Sequence, residues 1–204
     1  MKLPVLLTMV LIALGAYGWE PRAGDLAFRL GSESAFSDAI TSATAWGDSL
    51  RFDHVGIVDI DGSGTVTVVE AAPKGGVKIS SWAEFTSGGG VVVKRLMSEF
   101  DACEVVAKAK SFIGEDYDWW YLPDNGKMYC SELVYESFIG SDGDHIFKAA
   151  PMNFRQPDGT MPEFWTRLFE GIGMPVPEGV PGTNPADMAK DPRLVEVARF
   201  IQPK

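Results

Sequence analysis

The sequence predicts an α+β fold, a small antiparallel sheet of short strands set between helical regions within one domain. Three observations carry that expectation. β-Branched runs at 52–60, 65–71, 77–79 and 91–96 are separated by turn chemistry at Asp61-Gly62-Ser63-Gly64, at Pro73-Lys74-Gly75-Gly76 and at Gly88-Gly89-Gly90. Segments with a helical period stand before and after these runs, at 34–46 and from Met128 to Phe138. The chain has 204 residues, 46% hydrophobic and 23% charged, which suits a single domain with a sizeable core.

The elements follow in order. Met1-Lys2 is a short positive stretch, and residues 3–16 are almost wholly apolar. Small residues then lead to polar Glu20-Pro21-Arg22, the layout of a secretory signal peptide over residues 1–18. Ala16 and Gly18 are both candidate last residues. The apolar run is short of the ~20 residues that span a bilayer, and no cysteine follows it to carry a lipid. An uncleaved anchor is the alternative. Export predicts a periplasmic or extracellular protein, with residues 19–204 as one domain.

Gly24-Asp25 is a turn and 26–28 a short strand. Ser34 or Ser37 caps the next helix, and Gly47-Asp48-Ser49 ends it. The strands at 52–60 and 65–71 form a hairpin on an Asp-Gly turn. Ser81 and Glu84 have capping-box spacing, so a helical turn follows the strand at 77–79. Residues 98–104 open another helix, with Cys103 in it. Residues 140–204 read as an extension that wraps the core. It contains an amphipathic helix at 161–173 with Phe164, Trp165, Leu168 and Phe169, a proline- and glycine-rich stretch at 175–185, a helical turn at 185–190, and a final strand or helix at 194–201.

Lys plus Arg is 18 and Asp plus Glu is 28, a formal net charge of −10. An acidic chain with no basic cluster argues against a nucleic-acid partner, because phosphate binding needs concentrated positive charge. It equally disfavours electrostatic attachment to an anionic membrane, leaving at most a loose association with the cell envelope. Two Cys and two His lack zinc-site spacing, and Asp116 and Asp118 have no calcium-loop continuation. No metal and no cofactor are expected.

Cys130, Leu133, Val134 and Ser137 fall at i, i+3, i+4 and i+7 on a helix that begins after the turn Pro123-Asp124-Asn125-Gly126. A cysteine at the start of such a helix meets free N–H groups and the positive end of the helix dipole, which favour its thiolate. The alternatives are a small buried core residue, or a disulfide with Cys103. Cys103 itself reads as a packed thiol. In the hairpin, a turn centred between Gly62 and Ser63 pairs His54 near Ala71, and a shift of one position sets it opposite Glu70. A carboxylate beside an imidazole fixes its tautomer and raises its basicity. His145 follows a polar loop and reads as surface or packing.

Gly24-Asp25-Leu26-Ala27-Phe28, Asp53-His54-Val55-Gly56-Ile57-Val58, Val69-Glu70-Ala71 and Tyr129-Cys130-Ser131-Glu132-Leu133-Val134, in this order, resemble the permuted papain-like amidases of the YiiX/YaeF type, within the wider NlpC-type group of cysteine hydrolases. The resemblance covers about residues 22–140. It implies a permuted papain-like fold, with the sheet packed on the cysteine helix. It implies Cys130 as nucleophile, His54 as general base and Glu70 as the group that orients the imidazole. Acyl transfer to the thiol and hydrolysis of a thioester follow, with the Cys130 backbone N–H as an oxyanion donor. Tyr117, Tyr129, Trp119 and Trp120 are the candidate substrate-binding residues. An amide in cell-wall peptide or an N-acyl compound is the expected substrate, and a charged subsite near Cys130 would draw on Arg29, Arg51 or Arg155. A lipid acyltransferase or lipid-ester hydrolase would instead have an elongated apolar groove near Trp119 and Trp120. A non-catalytic binding module, with Cys130 tied to Cys103, is the third reading.

Overall fold

The structure, a computed structural model, describes residues 18–201. The expected signal segment lies outside the described residues, apart from Gly18. Trp19 onward is folded. Trp19 is buried against Trp82 and Phe200, and its indole N–H donates to Asp25 Oδ2 at 3.2 Å.

Six strands form one antiparallel sheet in the order β4-β3-β2-β1-β5-β8. They are β1 (Leu26–Leu30), β2 (Phe52–Ile60), β3 (Val66–Ala72), β4 (Gly76–Ser81), β5 (Val91–Leu96) and β8 (Leu194–Phe200). The final segment, open between strand and helix in the sequence, is therefore an edge strand on β5. A two-stranded ribbon joins β6 (Ala150–Pro151) to β7 (Pro181–Gly182). The helices are α1 (Ala35–Thr44), α2 (Trp82–Ser87), α3 (Ala102–Ser111), α4 (Cys130–Ser137), α5 (Glu163–Ile172) and α6 (Pro185–Ala189).

Local chemistry accounts for the helix starts. Ser34, Ser81, Asp101 and Asn184 each accept a backbone N–H of the first turn through the side chain. Ser81 and Glu84 complete the expected capping box. The segment predicted to open a helix at 98–104 begins later, at Ala102, because Asp101 caps it.

The sheet is covered on both faces, so β2 is buried almost throughout instead of alternating. One face carries Val55, Ile57, Val69 and Ala71 against the side chains of α3, α4 and α5. The other carries Val58, Val68, Val91 and Val93 against Phe85, with Trp19 and Trp82 beside them. Fully burying a Val, Leu or Phe stabilises by ~1.5–3 kcal/mol. Asp25 ties the chain start to β5: Arg95 holds it through two hydrogen bonds of 2.6 and 2.8 Å, and the Arg22 N–H adds a third.

Two details of β2 position the site. The β2–β3 register pairs Ile57 with Val69 and Val58 with Val68, one step from the predicted alignment. The tight Asp61-to-Thr65 turn, closed by Asp61 N to Thr65 O, sets this step. Against β1, Arg29 pairs with His54 but Leu30 pairs with Phe52, so Asp53 is an extra residue in a bulge.

Gly56 lies between His54 and Val58 on β2. A Cβ there would overlap Val68 Cγ1 and crowd the Phe85 ring. Gly56→Ala is expected to destabilise the fold by ~2 kcal/mol through overpacking, read as a lower urea midpoint at unchanged m-value.

Candidate active site

Glu70 is buried on β3, and its two oxygens are divided between neighbours. Oε2 lies 2.6 Å from His54 Nε2, and Oε1 accepts the Ser80 hydroxyl at 2.5 Å, with Lys78 Nζ at 3.7 Å. The pair forms across the one-step register difference: Ile57 opposite Val69 brings Gly56 level with Glu70, so His54 reaches it diagonally on the same face. An ionised carboxylate only accepts, so His54 Nε2 carries the proton and Nδ1 keeps its lone pair. Burial holds His54 below its ordinary 6.5, partly offset by Glu70. Burial works to raise Glu70, yet the bonds from His54 and Ser80 hold it well below the usual carboxylate range. At neutral pH the pair is a carboxylate and a neutral imidazole.

Cys130 is buried as the first residue of α4. β2–β3 pairing stops at Ile57, and there the Val55 N–H is directed at the Cys130 sulfur, one residue from His54. Among the described residues no hydrogen bond joins the thiol to the imidazole. Burial pushes the thiol up to about 12, against the lowering effect of the Val55 and Ser131 N–H groups. The thiolate expected from the helix start is therefore corrected: desolvation outweighs the dipole, and the resting sulfur is a thiol. Cys103 is exposed, not packed, and both cysteines are free. The disulfide alternative falls with that.

A narrow pocket of about 50 Å³, partly open to solvent, leads to Cys130. Tyr117 and Tyr129 line it as expected from the sequence, with Tyr121, Phe154 and Trp165 completing an aromatic wall. The Tyr117 and Tyr121 hydroxyls lie 3.5 Å apart, and burial raises both phenols well above their ordinary value. Trp119 and Trp120 do not line this pocket. Trp119 packs against Phe36 and Tyr117, and Trp120 is 41% exposed beneath the Lys127 ammonium. The chain turns away from the pocket at Tyr121, which has a left-handed φ of 53° held by Asp118 accepting the Trp120 and Leu122 N–H groups. Of the three arginines, Arg51 and Arg155 stand away from the pocket. Arg29 does not line it but forms an ion pair with Asp53 in its wall at 3.9 Å and acts to lower the Cys130 thiol pKa. Arg51 bonds Thr41, Arg155 bonds Gly159 O, and Arg29 lies over Phe85. His145 stacks on Tyr135 at 3.9 Å, a packing role.

The likeness to known proteins follows this geometry. Residues 20–198 match the family described as permuted papain-like amidase enzyme, YaeF/YiiX, C92. The chain belongs to this family. It is 24% identical over 202 residues to YiiX of Escherichia coli (strain K12), an uncharacterized protein, covering 98% of this chain and 96% of that one. It also superposes with a TM-score of 0.74 on the crystal structure of the metalloprotein YiiX from Escherichia coli O157:H7, at 23% identity, covering 90% of this chain and 100% of that one. The fit to a metal fails on the donor set: among the described residues no group of three or more His, Cys, Asp or Glu side chains is disposed to hold an ion.

Within this permuted papain-like frame, several pocket residues had no sequence signal. Trp165 and Phe154 reach the pocket from beyond the cysteine helix, and Thr183 does so from just after β7. Such long-range placement leaves no local pattern. Asp53 was visible beside His54, but the bulge that turns it into the pocket was not.

Glu132, two residues after Cys130, accepts the Tyr129 N–H at 3.3 Å, and burial raises it to about 8 from 4.5. The folded state thus binds this proton more tightly than the unfolded chain. The resulting stability is complete below the unfolded value and is lost as pH rises through about 8. The Tm of the protein should therefore fall between about pH 5 and pH 8, and fall less steeply in Glu132→Gln, by scanning calorimetry. Parallel curves would mean that Glu132 ionises freely in the fold.

Proposed function

We propose that this amidase-family chain is an exported cysteine hydrolase that cleaves an amide through Cys130, His54 and Glu70. The observation that carries this is the buried 2.6 Å His54–Glu70 pair, whose tautomer leaves Nδ1 as a base beside the strand residue that meets the thiol. In the proposed reaction the His54 ring, which rests on the Phe85 face of β2, turns toward Cys130 and takes its proton on Nδ1 as the sulfur attacks the carbonyl carbon. The tetrahedral oxyanion draws on N–H groups at the start of α4. Its collapse expels the amine, which takes the proton from His54. Water, deprotonated by the same nitrogen, then hydrolyses the thioester and restores the thiol. A neutral resting thiol makes this a concerted base-assisted attack in place of a standing ion pair. Export rests on the apolar residues 3–16 and the small residues after them.

A second reading, transfer or hydrolysis of a lipid acyl group on the same residues, draws on the apolar lining from Ile40, Phe154 and Trp165. The two differ in the acyl group that mass spectrometry would find on Cys130.

Cys130→Ala should abolish turnover of a model amide, and His54→Ala should lower kcat/KM by ~10²–10⁴-fold. Because His54 must be neutral to act, activity should be lost as pH falls through a midpoint below 6.5. Glu70→Gln removes a group that raises the His54 pKa, so that midpoint should move lower still while the plateau drops. Retention of turnover in Cys130→Ala, or an acid limb unmoved in Glu70→Gln, would sink the assignment.

A further inference from the structure

The pocket beside Cys130 has one formally charged wall. Asp53 lines it, whereas no Lys, Arg or His side chain does. Asp53 is 7% exposed, and its Oδ1 has no hydrogen-bond partner in the protein. Oδ2 accepts the Ser32 N–H at a long 3.3 Å. The nearest cation is Arg29, whose Nε stands 3.9 Å from Oδ1 and is itself without a hydrogen bond. That separation is beyond hydrogen-bond length. A buried carboxylate with a free oxygen is costly unless something pairs with it.

Two further buried atoms without partners, Ser131 Oγ and Thr183 Oγ1, belong to residues that line the same pocket. Oxygen acceptors on three residues of one lining, with the Thr183 side chain beside the Tyr129 hydroxyl, match a primary ammonium, which has three N–H donors and no acceptor. Aromatic faces attract cations, and Tyr117, Tyr121, Tyr129 and Trp165 supply them here. A substrate carboxylate would meet the opposite: the Asp53 charge and no cation in the lining.

We infer that Asp53, with Ser131 and Thr183, forms a subsite for a primary ammonium, and that the substrates are amides carrying that group close to the scissile carbonyl. This rests on Cys130 as the reacting residue, and it reverses the sign of the charged subsite expected from the arginines. Asp53 is a specificity residue. The bulge that makes it extra to the β1 pairing turns it into the pocket while His54, its neighbour, lies against Phe85 on the other face.

The test separates binding from turnover. Cys130→Ala protein is titrated calorimetrically with L-leucinamide and with N-acetyl-L-leucinamide, at a pH where the free amine is protonated. The ammonium probe should bind more tightly by about tenfold or more, as a charge-assisted hydrogen bond implies. Adding Asp53→Asn, which can still accept the Ser32 N–H, should bring the two probes to within about twofold. Adding Thr183→Val should weaken leucinamide alone, by a few-fold. Equal affinities in the Cys130→Ala protein, absence of leucinamide binding, or a preference that survives Asp53→Asn would each overturn the subsite. None of these outcomes bears on whether Cys130 forms an acyl-enzyme, which the turnover and mass measurements read separately.

Discussion

The Glu70 carboxylate is the interaction on which the site depends. It joins three strands at one point: His54 of β2, its own β3, and Ser80 with Lys78 of β4. A carboxylate buried beneath Trp82 and Phe85 is tolerable only because each oxygen has a polar neighbour. Those neighbours are in reach only in one register of the β2–β3 hairpin. A one-residue slip would turn Glu70 into the helix-covered face and leave His54 unpaired. The arrangement of strands and the protonation state of the imidazole are thus two aspects of a single constraint.

Burial also decides the character of the proposed nucleophile. A helix start favours a thiolate in the abstract, and that is how Cys130 reads along the chain. In the fold it lies against Tyr117, Tyr121 and Tyr129, and the loss of hydration outweighs the dipole. The neutral thiol and neutral imidazole then resemble the resting state of a serine hydrolase more than that of a preformed ion pair. Chemistry would wait for a substrate that expels water and presents its carbonyl.

Much of this was legible in order along the chain. The Asp-Gly turn, the Ser81–Glu84 box and the β-branched runs are local signals, and the strands and helices they mark formed where expected. The β2–β3 register was legible to within one residue, but it shifts away from the alignment that would set His54 opposite Glu70, and the two meet diagonally. What could not be read depends on distant contacts. The aromatic run 117–121 is dense enough to suggest a cleft, yet the left-handed residue Tyr121 sends its members to different surfaces. Trp165 looked like ordinary packing of an amphipathic helix, and Phe154 lay in a stretch with no period at all. Their place in the pocket follows from the return of the chain through α5 and the β6–β7 ribbon, which no periodicity encodes.

The bulge at Asp53 has a consequence for how such a protein can change. In a regular strand, neighbouring side chains already point to opposite faces, and the extra residue alters the phase upstream of it. Phe52 therefore stays in the helix-side core even though it is separated by three positions from Val55 in that same core. Substitution at Asp53 leaves this phase intact, so the lining of the pocket can vary while the imidazole stays in place. Deletion of the residue would keep Leu30 opposite Phe52 and Arg29 opposite His54, leave Phe52 in the core, and remove only the bulge and the carboxylate it carries. Lineages that diversify here can exchange this side chain or drop it, and a gap at this position would mark a protein with a regular β1–β2 ladder and a pocket without this carboxylate.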